Sequence, residues 1–123
     1  MEFTSMEWME AFRDKCNADP EFQLNAKFAD TKIVFFFGDD AYYLKLYKGR
    51  IIDLEKFVLN FAPLGYDIVI RADMDVWNSI RTREAKFWDH LNSWHVEVGG
   101  NHMDAHRLHE LICVMCADIL PTV

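Results

Sequence analysis

Apolar and polar positions alternate with a period of two in several parts of the chain, as is typical of β-strands with one buried face. The alternating segments are residues 42–47, 66–71 and 94–98. Residues 32–37 are apolar on both faces and end at a Gly-Asp-Asp turn, so we predict that they form a central strand. Residues 50–57 predict a weaker strand after the Lys48-Gly49 turn, giving five strands in all.

Helical patterns lie before the first of these strands, between the later ones and after the last. Thr4-Ser5-Met6-Glu7 has the form of a capping box, which predicts a helix over residues 5–17 that closes at Asp19-Pro20. Residues 21–30 show no clear period. Two short helices are predicted, one capped by Asp73 and one over 83–91, followed by a long helix from Asn101 to about Leu120.

This order of elements predicts one α+β domain over residues 1–123. Strands joined by two-residue turns cannot be parallel, so we expect a five-stranded, mainly antiparallel sheet covered on one face by helices. The predicted buried face of the sheet carries eight apolar residues. They are Ile33, Phe35, Phe37, Leu44, Leu46, Ile68, Ile70 and Val96.

The charge balance narrows the classes of partner. The chain has 13 Lys and Arg residues against 20 Asp and Glu residues, a formal net charge of -7, which is the wrong sign for binding nucleic acid or an anionic membrane. The longest apolar run, residues 33–37, is far too short for a transmembrane segment. We therefore expect a cytoplasmic protein, with its three cysteines reduced.

Three local patterns make the sequence similar to a known family. They are the Gly49-Arg50-Ile51 turn into the third strand, the Asp67-Ile68-Val69-Ile70 strand before a helix, and Val98-Gly99-Gly100 before the last helix. With the order of elements, they resemble the sterol carrier protein family of small lipid-binding domains. The resemblance implies an apolar tunnel between sheet and helices that binds a fatty acyl chain, acyl-CoA or sterol without catalysis or a cofactor.

The resemblance assigns ligand binding to the apolar residues of the sheet and the covering helices. These residues are Phe35, Leu44, Ile68, Ile70, Trp77, Ile80, Phe87, Trp88, Leu91, Trp94, Leu108, Ile112 and Met115. The same positions also fit a close-packed core without a cavity. The aromatic fraction of 15% is high for either interpretation.

The last helix carries a stripe of potential metal ligands. His102, His106, His109, Cys113 and Cys116 follow each other at intervals of three or four residues and so share one face. Nitrogen and sulfur ligands at these intervals suit Zn²⁺, although the stripe equally fits a packing seam. An alternative interpretation is a metal site formed by His102, His106, His109 and Cys113.

Two other functions stay open. One is an enzyme or an accessory subunit in which His102, His106 and the aromatic pocket act on a hydrophobic substrate. The other is a structural module, such as a homodimer, that buries the aromatic surface. The carboxylates at Asp39-Asp40, Asp73 and Asp75, and the pair Asp89-His90, fit turns, caps and exposed helix faces as well as acid-base chemistry.

Overall fold

The computed structural model describes residues 2–57 and 66–123, apart from the side chain of His102. The five strands are β1 (Asp30–Phe37), β2 (Asp40–Tyr47), β3 (Arg50–Lys56), β4 (Ile68–Ala72) and β5 (Val96–Gly100). The α-helices are α1 (Met6–Ala18), α2 (Pro20–Ala26), α3 (Met74–Arg81), α4 (Phe87–Asn92), α5 (His102–Arg107) and α6 (His109–Cys113). None of the helices in the described ranges is long and apolar enough to cross a bilayer.

The strands form one sheet in the order β3-β2-β1-β4-β5. β1 pairs antiparallel with β2 and parallel with β4, and the two outer pairs are antiparallel. The predicted mainly antiparallel α+β sheet is therefore confirmed, and so is the central position of β1. The β2–β3 turn is as short as predicted, with Lys48 and Gly49 both at positive φ.

The inner face of the sheet packs against the helices. All eight residues predicted for this face are buried in a single apolar cluster with residues of α1, α2, α3, α4 and the C-terminal helical segments. On the outer face, Val34, Phe36, Ala41 and Tyr43 form a second, smaller cluster. The inner layer is the part of the fold in which the resemblance places a ligand.

The N-terminal cap lies one residue later than predicted. Ser5 is the N-cap of α1, and its hydroxyl accepts a hydrogen bond from the Trp8 amide at 3.1 Å. Thr4 has a left-handed backbone, with φ of 68°, and its hydroxyl donates to Asp40 at 3.0 Å. The prediction of a Thr4 to Glu7 capping box is therefore wrong, because Thr4 ties the N-terminus to the β1–β2 turn instead.

Asp19-Pro20 ends one helix and begins the next. α1 stops at Ala18, and the Asp19 carboxylate accepts a hydrogen bond from the Phe22 amide at 2.9 Å as the N-cap of α2. Pro20 takes the first helical position, where no amide hydrogen is needed. Residues 21–30, for which the sequence predicted no element, thus begin with helix α2.

The segment before β5 also differs from the prediction. Trp94 lies outside the strand with φ of 64°, because the chain turns there after α4, and pairing with β4 begins only at Val96. α4 starts at Phe87 rather than at residue 83. Tyr66 likewise precedes its strand, which begins at Ile68.

The predicted long C-terminal helix is interrupted. Asn101 caps its start as predicted, accepting from the Met103 and Asp104 amides. Leu108 then departs from helical geometry, with φ of -100° and ψ of 20°, and separates α5 from α6. A π-helical segment, Val114–Ile119, and a final turn, Leu120–Thr122, complete the chain. The C-terminal part of the helical layer therefore consists of short helical segments.

Replacement of Phe35 by Ala tests the inner layer. Phe35 is fully buried between the Phe12, Phe37 and Trp77 rings, so we expect the variant to lose roughly 3 to 5 kcal/mol of unfolding free energy. Phe28 is 88% exposed, and Phe28→Ala is the matched control with an expected change within about 0.5 kcal/mol. Urea denaturation measures both. Equal losses in the two variants would contradict the packing described here.

Candidate functional site

Most of the residues assigned to ligand binding lie together in the inner layer. Ten are buried in its apolar cluster: Phe35, Leu44, Ile68, Ile70, Trp77, Ile80, Phe87, Leu108, Ile112 and Met115. The Trp77 indole NH donates to the Phe36 carbonyl at 2.8 Å, which fixes α3 on the sheet. Apart from tyrosine hydroxyls, cysteine thiols and tryptophan NH groups, the polar side chains buried among the described residues are those of Thr4 and Thr31. The layer is therefore an almost wholly apolar medium.

A groove opens from this layer to solvent between the α3–α4 turn and the end of the chain. It has a volume of about 340 Å³ and joins three predicted ligand residues to five that were not predicted. Its lining is Ile80, Arg83, Ala85, Lys86, Phe87, Trp88, Ala117 and Pro121. We call it the α3–α4 groove. Its volume falls at the lower end of the range for small-molecule sites.

Two cations stand at the rim of the α3–α4 groove. Arg83 and Lys86 are both exposed, and neither forms an ion pair with any described residue. Arg83 has φ of 64°, so the chain reverses direction there between α3 and α4. An apolar floor with unpaired cations at its edge suits an amphipathic molecule with an anionic head.

Trp88 separates the α3–α4 groove from a second groove of opposite charge. Its indole is 42% exposed and lines both. The second groove, of about 310 Å³, lies between α2 and the C-terminal segments, and its acidic residues are Glu21, Glu110 and Asp118. Anionic ligands are therefore attracted to the α3–α4 side of Trp88 and repelled from the other side.

Two predicted ligand residues lie outside the α3–α4 groove: Leu91 is partly buried against the inner-layer cluster, and Trp94 is exposed. Leu91 and Trp94 line a third depression, of about 700 Å³, together with Tyr66, Val69 and Arg71. Trp94 is 85% exposed. Since Val69 and Arg71 project from the outer face of β4, the structure does not bring Leu91 and Trp94 into the α3–α4 groove.

The histidine and cysteine stripe is divided by the break at Leu108. His106 is exposed on α5, whereas His109 lies on α6, with its Nε2 3.8 Å from the Cys113 sulfur and its ring against Trp88. Within residues 2–57 and 66–123, excluding the His102 side chain, no three His, Cys, Asp or Glu residues form a group that could hold a metal ion. Cys113 is buried on α6, which packs against α2, and we call this contact the helix seam; His109 is exposed beside Trp88.

A histidine pair that the sequence did not single out lies between α4 and β5. The Nδ1 atoms of His90 and His95 are 3.1 Å apart, and His90 Nε2 is 2.7 Å from the Ser79 hydroxyl. His90 was noted only for its neighbour Asp89, yet its hydrogen bonds go to Ser79 on α3 and to His95. These contacts connect α3 and α4 with His95, which directly precedes β5.

Comparison with solved structures establishes the fold. A crystal structure of sterol carrier protein 2 superposes with a TM-score of 0.80 at 15% identity, over 99% of both chains. Palmitated SCP2L2 from Aedes aegypti gives 0.59 at 16%, over 89% of this chain and 95% of that one. A double mutant of the sec-alkyl sulfatase PisA1 gives 0.62 at 16%, over 89% of this chain and 16% of that one.

No family model matches the sequence, and no curated protein matches it. The chain nevertheless has the sterol carrier protein 2 fold over nearly its full length, which confirms the resemblance found in the sequence. The same fold also occurs as one part of a larger enzyme, the alkyl sulfatase.

The cysteines give a pH-dependent test of the helix seam. Burial, with Glu110 and Asp118 nearby, raises the pKa of Cys113 to about 11, and burial also raises the pKa values of Cys16 and Cys116. At pH 8 about one Cys113 thiol in a thousand is ionised, so we expect slow reaction of the native protein with a disulfide reagent.

The same shift lowers the free energy of unfolding at alkaline pH. An unfolded thiol has a pKa of about 8.5, so unfolding releases a proton between there and about 11, and stability falls as the pH rises through that window. Stoichiometric reaction of native Cys113 within seconds at pH 8 would contradict the burial of this seam.

Proposed function

We propose that the protein is a non-catalytic carrier of a long-chain acyl ligand with an anionic head. The observation that carries this proposal is the α3–α4 groove, in which an apolar floor continuous with the inner layer meets Arg83 and Lys86, two cations with no ion pair in residues 2–57 and 66–123. The acyl chain lies along Ile80 and Phe87, and the carboxylate or phosphate faces the two cations. A sterol without an anionic group gains nothing from this rim.

The energetic driving force is burial of the acyl chain. Each methylene transferred from water contributes about 0.8 kcal/mol, so the six or so methylenes that a small groove covers supply about 5 kcal/mol before the loss of ligand entropy. A charge-assisted contact at the exposed rim adds less, and it is weakened by salt. The cations therefore select the head group, while the apolar floor provides most of the affinity.

A longer chain continues into the inner layer. Ile80 and Phe87 belong both to the groove and to the buried cluster that contains Phe35. The elements beside the groove are short, since α3 and α4 have eight and six residues and the π-helical segment and final turn that contact them have six and three. Such short elements shift without unfolding the sheet, so the ligand enters by displacing Phe87 from the cluster.

The chemistry of the groove and two of the matched structures support a carrier, whereas a third match is part of an alkyl sulfatase. The residues that line the α3–α4 groove include no hydroxyl, thiol, imidazole or carboxylate, so the exposed Lys86 amine is the one lining group able to act as a nucleophile or base. One matched structure is sterol carrier protein 2, and another is palmitated SCP2L2. We extend from these a carrier function to this chain.

Binding of palmitate tests the proposal. Trp88 forms one wall of the groove, so we expect its fluorescence to change as palmitate is titrated, and we expect displacement of a fluorescent fatty acid. Cholesterol and palmitoyl-CoA are titrated in parallel. No binding of any of the three up to about 100 μM, a Kd equivalent to about 5.5 kcal/mol, would overturn the carrier function.

The double variant Arg83→Gln, Lys86→Gln tests the rim. We expect a loss of palmitate affinity of about three- to tenfold in low salt, and little change for hexadecanol, which has the same chain without a charge. Arg50→Gln with Lys56→Gln removes two exposed cations of β3 and is the charge-matched control. Equal losses in the two double variants would show that the net charge, not the rim, sets the affinity.

A further inference from the structure

The contacts of the His90 and His95 rings define the state of each nitrogen. The Ser79 hydroxyl has a single proton, which it donates to the Val76 carbonyl at 2.8 Å. Its oxygen therefore accepts from His90 Nε2 at 2.7 Å, so His90 carries its proton on Nε2 and has a free lone pair on Nδ1. That lone pair faces His95 Nδ1 at 3.1 Å.

This arrangement has the features of a metal-ligating histidine. Such histidines donate their second ring NH to a protein acceptor, which fixes the tautomer and orients the lone pair. Two imidazole nitrogens bound to one ion at 2.0 to 2.1 Å lie roughly 2.9 to 3.4 Å apart at angles between square and tetrahedral. The observed Nδ1 separation of 3.1 Å falls within this range.

Access and support of the pair also suit an ion. His95 is exposed and faces solvent, whereas His90 is half-buried and held by Ser79. A backbone hydrogen bond from the His95 amide to the His90 carbonyl, at 2.9 Å, fixes the spacing of the two residues independently of their side chains. One ligand is thus rigid, and the other can rotate onto an incoming ion.

We propose that His90 and His95 form a two-histidine site for a divalent cation that prefers nitrogen ligands, such as Cu²⁺ or Zn²⁺, with water in the remaining positions. In the metal-free pair, His95 Nδ1 donates its proton to the lone pair on His90 Nδ1, and the ion replaces this bridging proton. That proton moves through solvent from Nδ1 to Nε2 of His95, so binding to the neutral pair releases no net proton. Ser79 is a positioning residue that acts through His90.

Titration of the full chain with Cu²⁺ and with Zn²⁺ alone, followed by calorimetry at neutral pH, tests the site. We expect one equivalent to bind, with at least a tenfold loss of affinity in His90→Ala and in His95→Ala. His106→Ala is the matched control, because it removes an exposed histidine of the C-terminal stripe and leaves the pair intact. Equal affinity in the wild type and His95→Ala would overturn the proposal.

Electron paramagnetic resonance of the Cu²⁺ complex supplies a readout that folding does not affect. Two coordinated imidazole nitrogens are expected in the wild type and one in His95→Ala, where the main-chain hydrogen bond is retained. Ser79→Ala should keep both nitrogens and lose about tenfold in affinity, because the tautomer of His90 is then no longer fixed. A spectrum unchanged by His90→Ala and His95→Ala would place the ion elsewhere and contradict the assignment.

Discussion

β1 must be buried on both faces, and the rest of the molecule depends on this constraint. Its inner residues Ile33, Phe35 and Phe37 and its outer residue Val34 are fully buried. A strand of this kind can exist only between two neighbours, which β2 and β4 provide, and beneath a cover on each face. The helices serve as the cover for the inner face, so the apolar layer between them and the sheet follows from the sequence of one strand.

The aromatic side chains of that layer determine where the α3–α4 groove lies. Trp77 packs on Phe35 and Phe37 and donates its indole NH to the Phe36 carbonyl. This contact fixes α3 on the sheet, so the turn that follows α3 carries Arg83 and Lys86 to the edge of the layer. The position of the groove's apolar floor thus depends on the packing of α3 against β1, whereas its positive charge comes from the turn that follows α3.

The sequence predicted those parts of the fold that depend on periodic burial. The five strands and their inner face were predictable because three strands alternate, β1 is a continuous apolar run, and each tight turn has its own signal. Asp19-Pro20 ends the first helix as predicted, but the same dipeptide also caps α2, which the sequence analysis did not predict. The break at Leu108 and the left-handed Trp94 could not be predicted, since tertiary packing alone requires them.

The candidate site was predicted only in its apolar part. Periodicity identifies buried residues such as Ile80 and Phe87, but it cannot tell which of them border a groove. Arg83 and Lys86 lie in the turn before α4, where the sequence analysis predicted helix, and the one available signal was a basic cluster within a chain of net charge -7. The meeting of Ser79, His90 and His95 depends on how α3, α4 and β5 pack, which no local pattern records.

The position of a bound acyl chain tests most directly whether the α3–α4 groove is the ligand site. Nuclear magnetic resonance of the protein with ¹³C-labelled palmitate measures which side-chain protons lie close to the ligand. We expect contacts from the methylenes to Ile80, Phe87 and Trp88, with the carboxyl end near Arg83 and Lys86. Contacts confined to Tyr66 and Trp94 on the outer face of the sheet would contradict this expectation.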